Sequence, residues 1–292
     1  LQNRLYKFMR SPALIMKESN LRPKKGMGQN FLSDKNMVEK IVSRSKIMAD
    51  DIVLEIGSGL GALTVPVARI SRKVYTVEKD RQLIPLLNTM FTEKSLENII
   101  LIEKSILDVD IDEIAVKEGC KIVVIGNLPY NISSQILVRL INSRHLVKSS
   151  TLMFQKELAE RICSGPGSKD YGRLSVMLQY CADIKNIANV QAKHFYPKPK
   201  VDSSVIKIDF KDEPEFPVTD EKFFFKVIKA GFGKRRKILK NALMGSELHI
   251  DAQIATEVLT ASGIDFKRRA ETLSVEEFSR LSNKLWNKIK VG

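Results

Sequence analysis

Asn127-Leu128-Pro129-Tyr130 groups residue types that suit one reaction well. The exocyclic amine of adenine is a poor nucleophile because its lone pair is delocalised into the ring. If the Asn127 side-chain oxygen and the Leu128 or Pro129 carbonyl accept its two hydrogens, the nitrogen can move toward tetrahedral geometry and aim its lone pair at an electrophile. Proline's fixed φ and missing donor favour a carbonyl pointed outward. Tyr130 adds a ring on which an unpaired base can stack. The same four residues are also readable as a plain turn capping a strand.

A second constellation lies upstream. Ile52 to Ile56 runs into Gly57-Ser58-Gly59-Leu60-Gly61, followed by the helical stretch Ala62 to Ile70. Glycines let the backbone turn sharply from strand to helix and let a ligand lie against bare peptide groups. The spacing also fits a dinucleotide fingerprint, so the turn alone does not separate a dehydrogenase from a methyltransferase. Glu78, at the end of the next strand, can accept hydrogen bonds from both hydroxyls of a ribose, which fits any adenosine-bearing cofactor. A solvated strand end is the plainer reading of Glu78.

These residues need a scaffold. From Asp51 the chain alternates strand-like runs at Ile52 to Ile56, Val74 to Val77, Ile99 to Ile102 and Ile122 to Ile125 with helical patterns, which implies a parallel sheet with crossover helices. Runs at Thr151 to Phe154 and Val205 to Phe210 would add strands. In such a sheet, ligands bind outside the carboxyl ends of the strands, so the glycine turn and the tetrapeptide would face one crevice. Lys211 to Thr219, with Pro214 and Pro217, reads as a linker. Beyond it the pattern is helical: Ser274-Val275-Glu276-Glu277 fits a capping box, and Gly263 would stop the preceding helix near Ser262. The expected architecture is α/β followed by a small α-helical domain.

The 292 residues carry 48 Lys+Arg against 34 Asp+Glu, a net charge of +14, and 43% are apolar. That excludes a disordered chain and points to a polyanionic partner. No run approaches the roughly 18 apolar residues of a membrane span, and no secretory signal is evident, so a soluble cytoplasmic protein without membrane contact is expected. Residues 1 to 24 form a basic arm, expected to be flexible in isolation; a cleaved transit peptide would have similar composition. Lys222 to Lys240 carries eight basic residues and no acidic one, interleaved with Phe223, Phe224, Phe225 and Phe232, and suits either an RNA surface or the solvated face of an amphipathic helix. Cys120, Cys163 and Cys181 form no Cys-x-x-Cys pair, and His145, His194 and His249 form no triad, so neither a disulfide framework nor a metal site is expected.

Several motifs together carry a family resemblance. Gly28-Gln29-Asn30-Phe31-Leu32, Glu55-x-Gly57-x-Gly59-x-Gly61, Asn127-Leu128-Pro129-Tyr130-Asn131-Ile132-Ser133, Gln155-Lys156-Glu157 and Phe195-x-Pro197-x-Pro199-Lys200-Val201-x-Ser203 stand in the order seen in ribosomal RNA adenine dimethyltransferases. The tail, Phe232-Gly233-x-x-Arg236-Lys237-x-Leu239-x-Asn241 and Arg269-Ala270-Glu271-x-Leu273-Ser274, resembles the ribosome-biogenesis branch.

The resemblance implies a Rossmann-like class I S-adenosylmethionine-dependent methyltransferase domain over 25–210, a C-terminal all-helical rRNA-binding domain over 211–292, and the arm over 1–24. The implied activity is dimethylation at N6 of two adjacent adenosines in a hairpin loop near the 3′ end of small-subunit rRNA, by a monomer acting on a pre-ribosomal small subunit. The cofactor site would be Gln29, Asn30, Leu32, Gly57, Gly59, Glu78, Lys79, Ser105, Ile106 and Asn127. The target site would be Asn127, Leu128, Pro129 and Tyr130, with Phe195 packing on the flipped adenine opposite Tyr130. Lys234, Arg235, Arg236 and Lys237 would contact RNA. Ser105 departs from the family, which usually has an acidic residue there; Asp108 is a weaker substitute. Phe195 is also readable as a core residue before a Pro-rich turn.

Three alternatives frame this reading. A large-subunit rRNA adenine methyltransferase of the macrolide-resistance type shares the catalytic motifs but differs in the C-terminal domain. A non-catalytic assembly or transcription factor could use the same fold, although the intact motifs argue against it. A nicotinamide dehydrogenase is disfavoured because no hydride-transfer site is apparent. The chemistry alone does not exclude DNA as substrate.

Overall fold

A computed structural model of the chain describes residues 10–234 and 236–291. In chain order the elements are α1 (Pro12–Glu18), β1 (Phe31–Leu32), α2 (Lys35–Ser45), β2 (Ile52–Ile56), α3 (Thr64–Ala68), β3 (Lys73–Glu78), α4 (Ile84–Glu93), β4 (Ile99–Glu103), α5 (Ile111–Glu118), β5 (Ile122–Asn127), α6 (Ser133–Asn142), β6 (Val147–Gln155), α7 (Lys156–Cys163), α8 (Arg173–Cys181), β7 (Ala182–Val190), β8 (Phe195–Tyr196), β9 (Ser203–Phe210), α9 (Glu221–Phe232), α10 (Leu239–Met244), α11 (Ala252–Ala261) and α12 (Val275–Val291).

Seven strands form one sheet in the order β4-β3-β2-β5-β6-β9-β7. The first five run parallel, and β9 lies antiparallel to β6. Strands β2 and β5 stand at the centre, buried on both faces, which is why their sequences are near-continuous Ile and Val runs instead of alternating ones. Gly126 permits the close approach between them, since a Cβ there would come 2.6 Å from the Ile56 carbonyl oxygen. The carboxyl ends of these two strands therefore deliver the glycine turn and Asn127 side by side.

A separate two-stranded ribbon pairs β1 with β8, matching Phe31 with Tyr196 and Leu32 with Phe195. Asp34 ties it to helix α2: one carboxylate oxygen caps the helix by accepting from the Met37 N–H at 2.8 Å, and the other meets His194 Nδ1 at 2.9 Å.

The chain divides into two compact units, one comprising the chain up to Ala159 with Ile184–Phe210, the other Glu160–Asp183 with the chain from Lys211 on. Residues 160–183 thus pack with the C-terminal helices, although their sequence lies inside the stretch read as catalytic. Aromatic contacts show the physical reason: Tyr180 packs on Phe224 at 4.5 Å between ring centres and on Phe225 at 6.1 Å, and Tyr171 meets Phe232 edge-on at 6.2 Å. Phe232 in turn stacks on Phe278 at 5.7 Å, and Phe223 packs on Trp286. Of the phenylalanines interleaved with the basic run, Phe224 is therefore buried in the helical unit and Phe223, Phe225 and Phe232 are half-buried beside it, while Lys222, Lys226 and Lys229 face solvent. The Ser274 capping box is present, with Ser274 N–H donating to Glu277 at 2.8 Å and Glu277 N–H to Ser274 Oγ at 3.1 Å.

Part of the basic arm is ordered. Helix α1 starts at Pro12 and buries Met16 in a cluster with Phe31, Leu60, Leu83, Leu87 and Phe91, which corrects the expectation of a flexible arm for residues 10–24; residues 1–9 lie outside the described ones. Its charge is partly spent internally, in Arg10–Glu18 at 2.6 Å and Lys24–Asp80 at 2.5 Å. Strand β7 gives no strand signal in the sequence, because Lys185, Asn186 and Asn189 interrupt its apolar pattern.

Candidate active site

A cavity of ≈ 210 Å³ opens at the carboxyl ends of β2, β3, β4 and β5. Every residue expected to touch a cofactor lines it: Gln29, Asn30, Leu32, Gly57, Gly59, Glu78, Lys79, Ser105, Ile106 and Asn127. Leu128, Pro129 and Tyr130 line it as well.

The floor is the glycine turn. Gly57, Gly59 and Gly61 all have positive φ, at 80°, 55° and 73°, a conformation that strains any residue with a Cβ. The N–H groups of Gly57 and Ser58 donate to the Val77 carbonyl at 2.9 and 3.2 Å, which locks the turn onto β3. Gly59 N–H donates to Glu78 Oε2 at 2.9 Å, and Asp80 N–H donates to Glu78 Oε1 at 2.8 Å. Fixed backbone donors thus orient the carboxylate. Burial pushes the Glu78 carboxyl above its ordinary range, and these backbone donors hold it partly back.

Behind the turn stands Glu55, buried and also on the cavity wall. Its Oε2 accepts from Thr64 Oγ1 and Thr76 Oγ1, both at 2.6 Å. Desolvation pushes its pKa from 4.5 up to about 7, against the pull of the two threonine hydroxyls.

The segment before β1 closes one side. Lys24 Nζ and Gln29 Nε2 both donate to Asp80, at 2.5 and 2.7 Å, while Lys24 N–H donates to Gln29 Oε1 at 2.8 Å. Burial opposes ionisation of Asp80, but the hydrogen bonds from Lys24 and Gln29 outweigh it and hold the carboxyl below its ordinary value. The Gln29 side chain is accordingly an anchor of the strap, and its place on the wall follows from that. Neither Lys24 nor Asp80 carried a motif signal, since their partnership spans 56 residues.

Asn127 ends β5 and donates its side-chain N–H to the Asn30 carbonyl at 2.8 Å. With the nitrogen so committed, the amide oxygen is left for the cavity. The Pro129 carbonyl accepts from Ile132 N–H at 3.2 Å and Ser133 Oγ at 3.0 Å at the start of α6. It is turned toward the helix, which corrects the expectation of an outward carbonyl at proline. The Tyr130 hydroxyl meets Ser203 Oγ at 3.0 Å, and burial raises its pKa against that hydrogen bond.

Phe195 and Ser105 differ in their placement. Phe195 is 4% exposed, packs in the core with Leu32, Val38, Val190 and Val205, and is absent from the cavity wall. This packing fits the reading of Phe195 as a core residue before a Pro-rich turn. Ser105 lines the cavity, with its hydroxyl accepting from Leu107 N–H at 3.3 Å; Asp108 is exposed and off the wall, so it supplies no substitute carboxylate. Lys104, which the sequence reading did not single out, brings a positive charge to the same rim. Among the RNA-contact residues, Lys234, Arg236 and Lys237 are exposed, and Arg235 lies outside the described residues.

Among the described residues, no group of three or more His, Cys, Asp or Glu converges to hold a metal, and no helix is long and apolar enough to cross a membrane. The cavity suits an adenosine-bearing cofactor: bare peptide in the glycine turn, an oriented carboxylate at Glu78 and a hydroxyl at Ser105.

Comparison with known proteins adds an independent line. The model of the family described as ribosomal RNA adenine dimethylase matches residues 20–285. A protein named ribosomal RNA small subunit methyltransferase A from Desulforapulum autotrophicum is 50% identical over 279 residues, covering 96% of this chain and 98% of the relative. Its namesake from Clostridium acetobutylicum is 40% identical over 272 residues, covering 93% and 97%. The crystal structure of a dimethyladenosine transferase from Plasmodium falciparum superposes with a TM-score of 0.72 at 27% identity, over 86% of this chain and 95% of that one. A 23S rRNA methyltransferase superposes with a TM-score of 0.68 at 23% identity, a likeness of fold alone.

Proposed function

The chain belongs to the ribosomal RNA adenine dimethylase family, and from that premise we propose that the cavity at the ends of β2 to β5 holds S-adenosylmethionine beside a flipped adenine, with Asn127 presenting the acceptor for its amine. The protein is an rRNA adenine methyltransferase that dimethylates small-subunit rRNA. The observation that supports the site assignment is the Asn127–Asn30 hydrogen bond, which engages the amide nitrogen of a cavity-lining residue and leaves its oxygen as the acceptor.

S-adenosylmethionine supplies an electrophilic methyl group on a sulfonium. In this reading Glu78 accepts the ribose hydroxyls, and the glycine turn lies against the cofactor's body. Asn127 Oδ1 accepts one hydrogen of the target amine. With the Pro129 carbonyl engaged by α6, the Leu128 carbonyl accepts the other. Both acceptors favour the tetrahedral nitrogen over the planar one, so they act on the transition state more than on the bound base. Tyr130, held by Ser203, offers its ring to the adenine. No side chain needs to act as general base, because the amine proton can leave to water after the methyl group is attached.

The proposed division assigns catalysis to 25–210, less the helical excursion at 160–183, and rRNA docking to the C-terminal helices through Lys234, Arg235, Arg236 and Lys237. The proposed substrate is two adjacent adenosines near the 3′ end, within a pre-ribosomal small subunit in the cytoplasm, met by a monomer.

Incubation of the protein and labelled S-adenosylmethionine with small-subunit particles, large-subunit RNA and DNA, followed by mapping of labelled nucleosides, tests this. Paired N6,N6-dimethyladenosines near the small-subunit 3′ end are expected. Label confined to large-subunit RNA would select the macrolide-resistance type of activity instead.

A further inference from the structure

We propose that Tyr196, with Lys198 and Lys200, forms a second nucleotide site at the rim of the cavity, which holds the unpaired nucleotide next to the one being methylated. The inference rests on the rRNA reading above and extends it from one base to two.

The argument starts from strand alternation. Successive residues of a strand face opposite sides, and β8 has only two: Phe195 turns into the core at 4% exposed, which sends Tyr196 outward at 37%. Tyr196 pairs with Phe31 of β1, whose residues line the cofactor cavity. The chain then runs through exposed Lys198, Lys200 and Val201, the last 44% exposed, to buried Ser203, whose hydroxyl meets that of Tyr130 on the cavity wall. Both ends of this loop are thus joined to the cavity wall.

The loop is held in shape. The Asp202 side chain accepts from the Ala192 N–H at 2.8 Å, and the Asp202 carbonyl accepts from the Lys156 N–H at 3.0 Å. With Asp202 committed to the backbone, neither Lys198 nor Lys200 is paired with a carboxylate among the described residues, and no aromatic ring among them packs on Tyr196. A solvent-facing ring beside two free ammonium groups on an anchored loop matches single-stranded RNA: the ring takes a base face, and the lysines take flanking phosphates. Dimethylation of two adjacent adenosines requires each in turn to enter while its neighbour is held, and this rim offers the neighbour a seat.

The test compares Tyr196→Ala, Tyr196→Phe and the double variant Lys198→Gln/Lys200→Gln in methyl transfer to small-subunit particles, with cofactor affinity measured by calorimetry. Tyr196→Ala is expected to lower kcat/KM by roughly 10- to 100-fold, through KM, at unchanged cofactor affinity and melting temperature. Tyr196→Phe should stay within about twofold, because the ring is kept. The lysine variant should flatten the salt dependence of particle binding by roughly 0.7 in log–log slope per lysine. Full activity in Tyr196→Ala, equal loss in Tyr196→Phe, or weakened cofactor binding in either would overturn the proposal while leaving the rRNA activity intact. A wild-type chain that labels no small-subunit adenosine would overturn the activity itself, and this inference with it.

Discussion

The side chain of Asn127 donates to the backbone carbonyl of Asn30 at 2.8 Å, across 97 residues of sequence. One hydrogen bond therefore fixes both the strap that closes the cavity and the amide that faces the target. It selects the amide orientation in which oxygen, the only atom able to accept an amine hydrogen, is the free end.

Asn127→Ala is expected to lower methyl transfer by about 100-fold or more, the usual cost of removing a preorganised acceptor. Cofactor binding should weaken but remain measurable, since the glycine turn and Glu78 are untouched. Label incorporation alongside calorimetry checks both, and turnover near the wild-type rate would remove Asn127 from the proposed role.

Glu78→Gln keeps the shape but loses the charge, and its amide nitrogen would oppose the N–H of Gly59 or Asp80. S-adenosylmethionine affinity should fall by roughly 30-fold, as for loss of hydrogen bonds to a charged acceptor. Burial raises the pKa of Glu78, so wild-type affinity should also decline as the pH is lowered, and Glu78→Gln should lack that decline. An unchanged dissociation constant in the variant would take Glu78 out of the site.

Glu55 gives stability a pH dependence of defined sign. Its pKa is 4.5 in the unfolded chain and about 7 in the fold, so between those values the native state binds the extra proton. Stability contributed there is complete below about pH 4.5 and is lost as pH rises through about 7, by on the order of 3 kcal/mol. Glu55→Gln mimics the protonated form and still accepts from Thr64 and Thr76. Chemical denaturation from pH 5 to 8 should show the wild type losing stability relative to the variant; parallel curves would refute the assignment.

Phe195→Leu should cost roughly 1 kcal/mol of stability, as a volume change in a packed core does, and leave methyl transfer within a few-fold. Turnover lost at unaltered stability would return Phe195 to the target base.

Neutralising Lys234, Arg236 and Lys237 together should weaken binding to small-subunit particles and reduce its salt slope, with cofactor affinity unchanged. An unaltered slope would mark these residues as a solvated face of the helical unit.

Much of this was legible in sequence because it is written locally. The glycine turn reads from three residues that adopt positive φ, and the capping box of α12 reads from Ser274 and Glu277, three positions apart. Strands β2, β3, β5 and β6 read from apolar runs that burial on both faces demands, whereas β4, at the sheet edge, keeps an apolar run with no fully buried residue. Strand β1 and strand β8 have two residues each, too few for any period to register.

What the sequence by itself determined is the elements with an unbroken apolar period, the crevice where a parallel sheet presents its strand ends, and the residue types delivered there. Tertiary structure decided which way those residues face. Alternation requires Phe195 and Tyr196 to point apart, but only the pairing of β8 with β1 sends phenylalanine inward and tyrosine out. Proline's fixed φ did not settle the direction of the Pro129 carbonyl; Ile132 and Ser133 at the start of α6 did. Likewise 160–183 join the C-terminal helices because Tyr171 and Tyr180 find their aromatic partners there. Local hydrogen bonding and periodicity are properties of a segment, whereas facing and partnership are set by whichever distant surface buries the side chain.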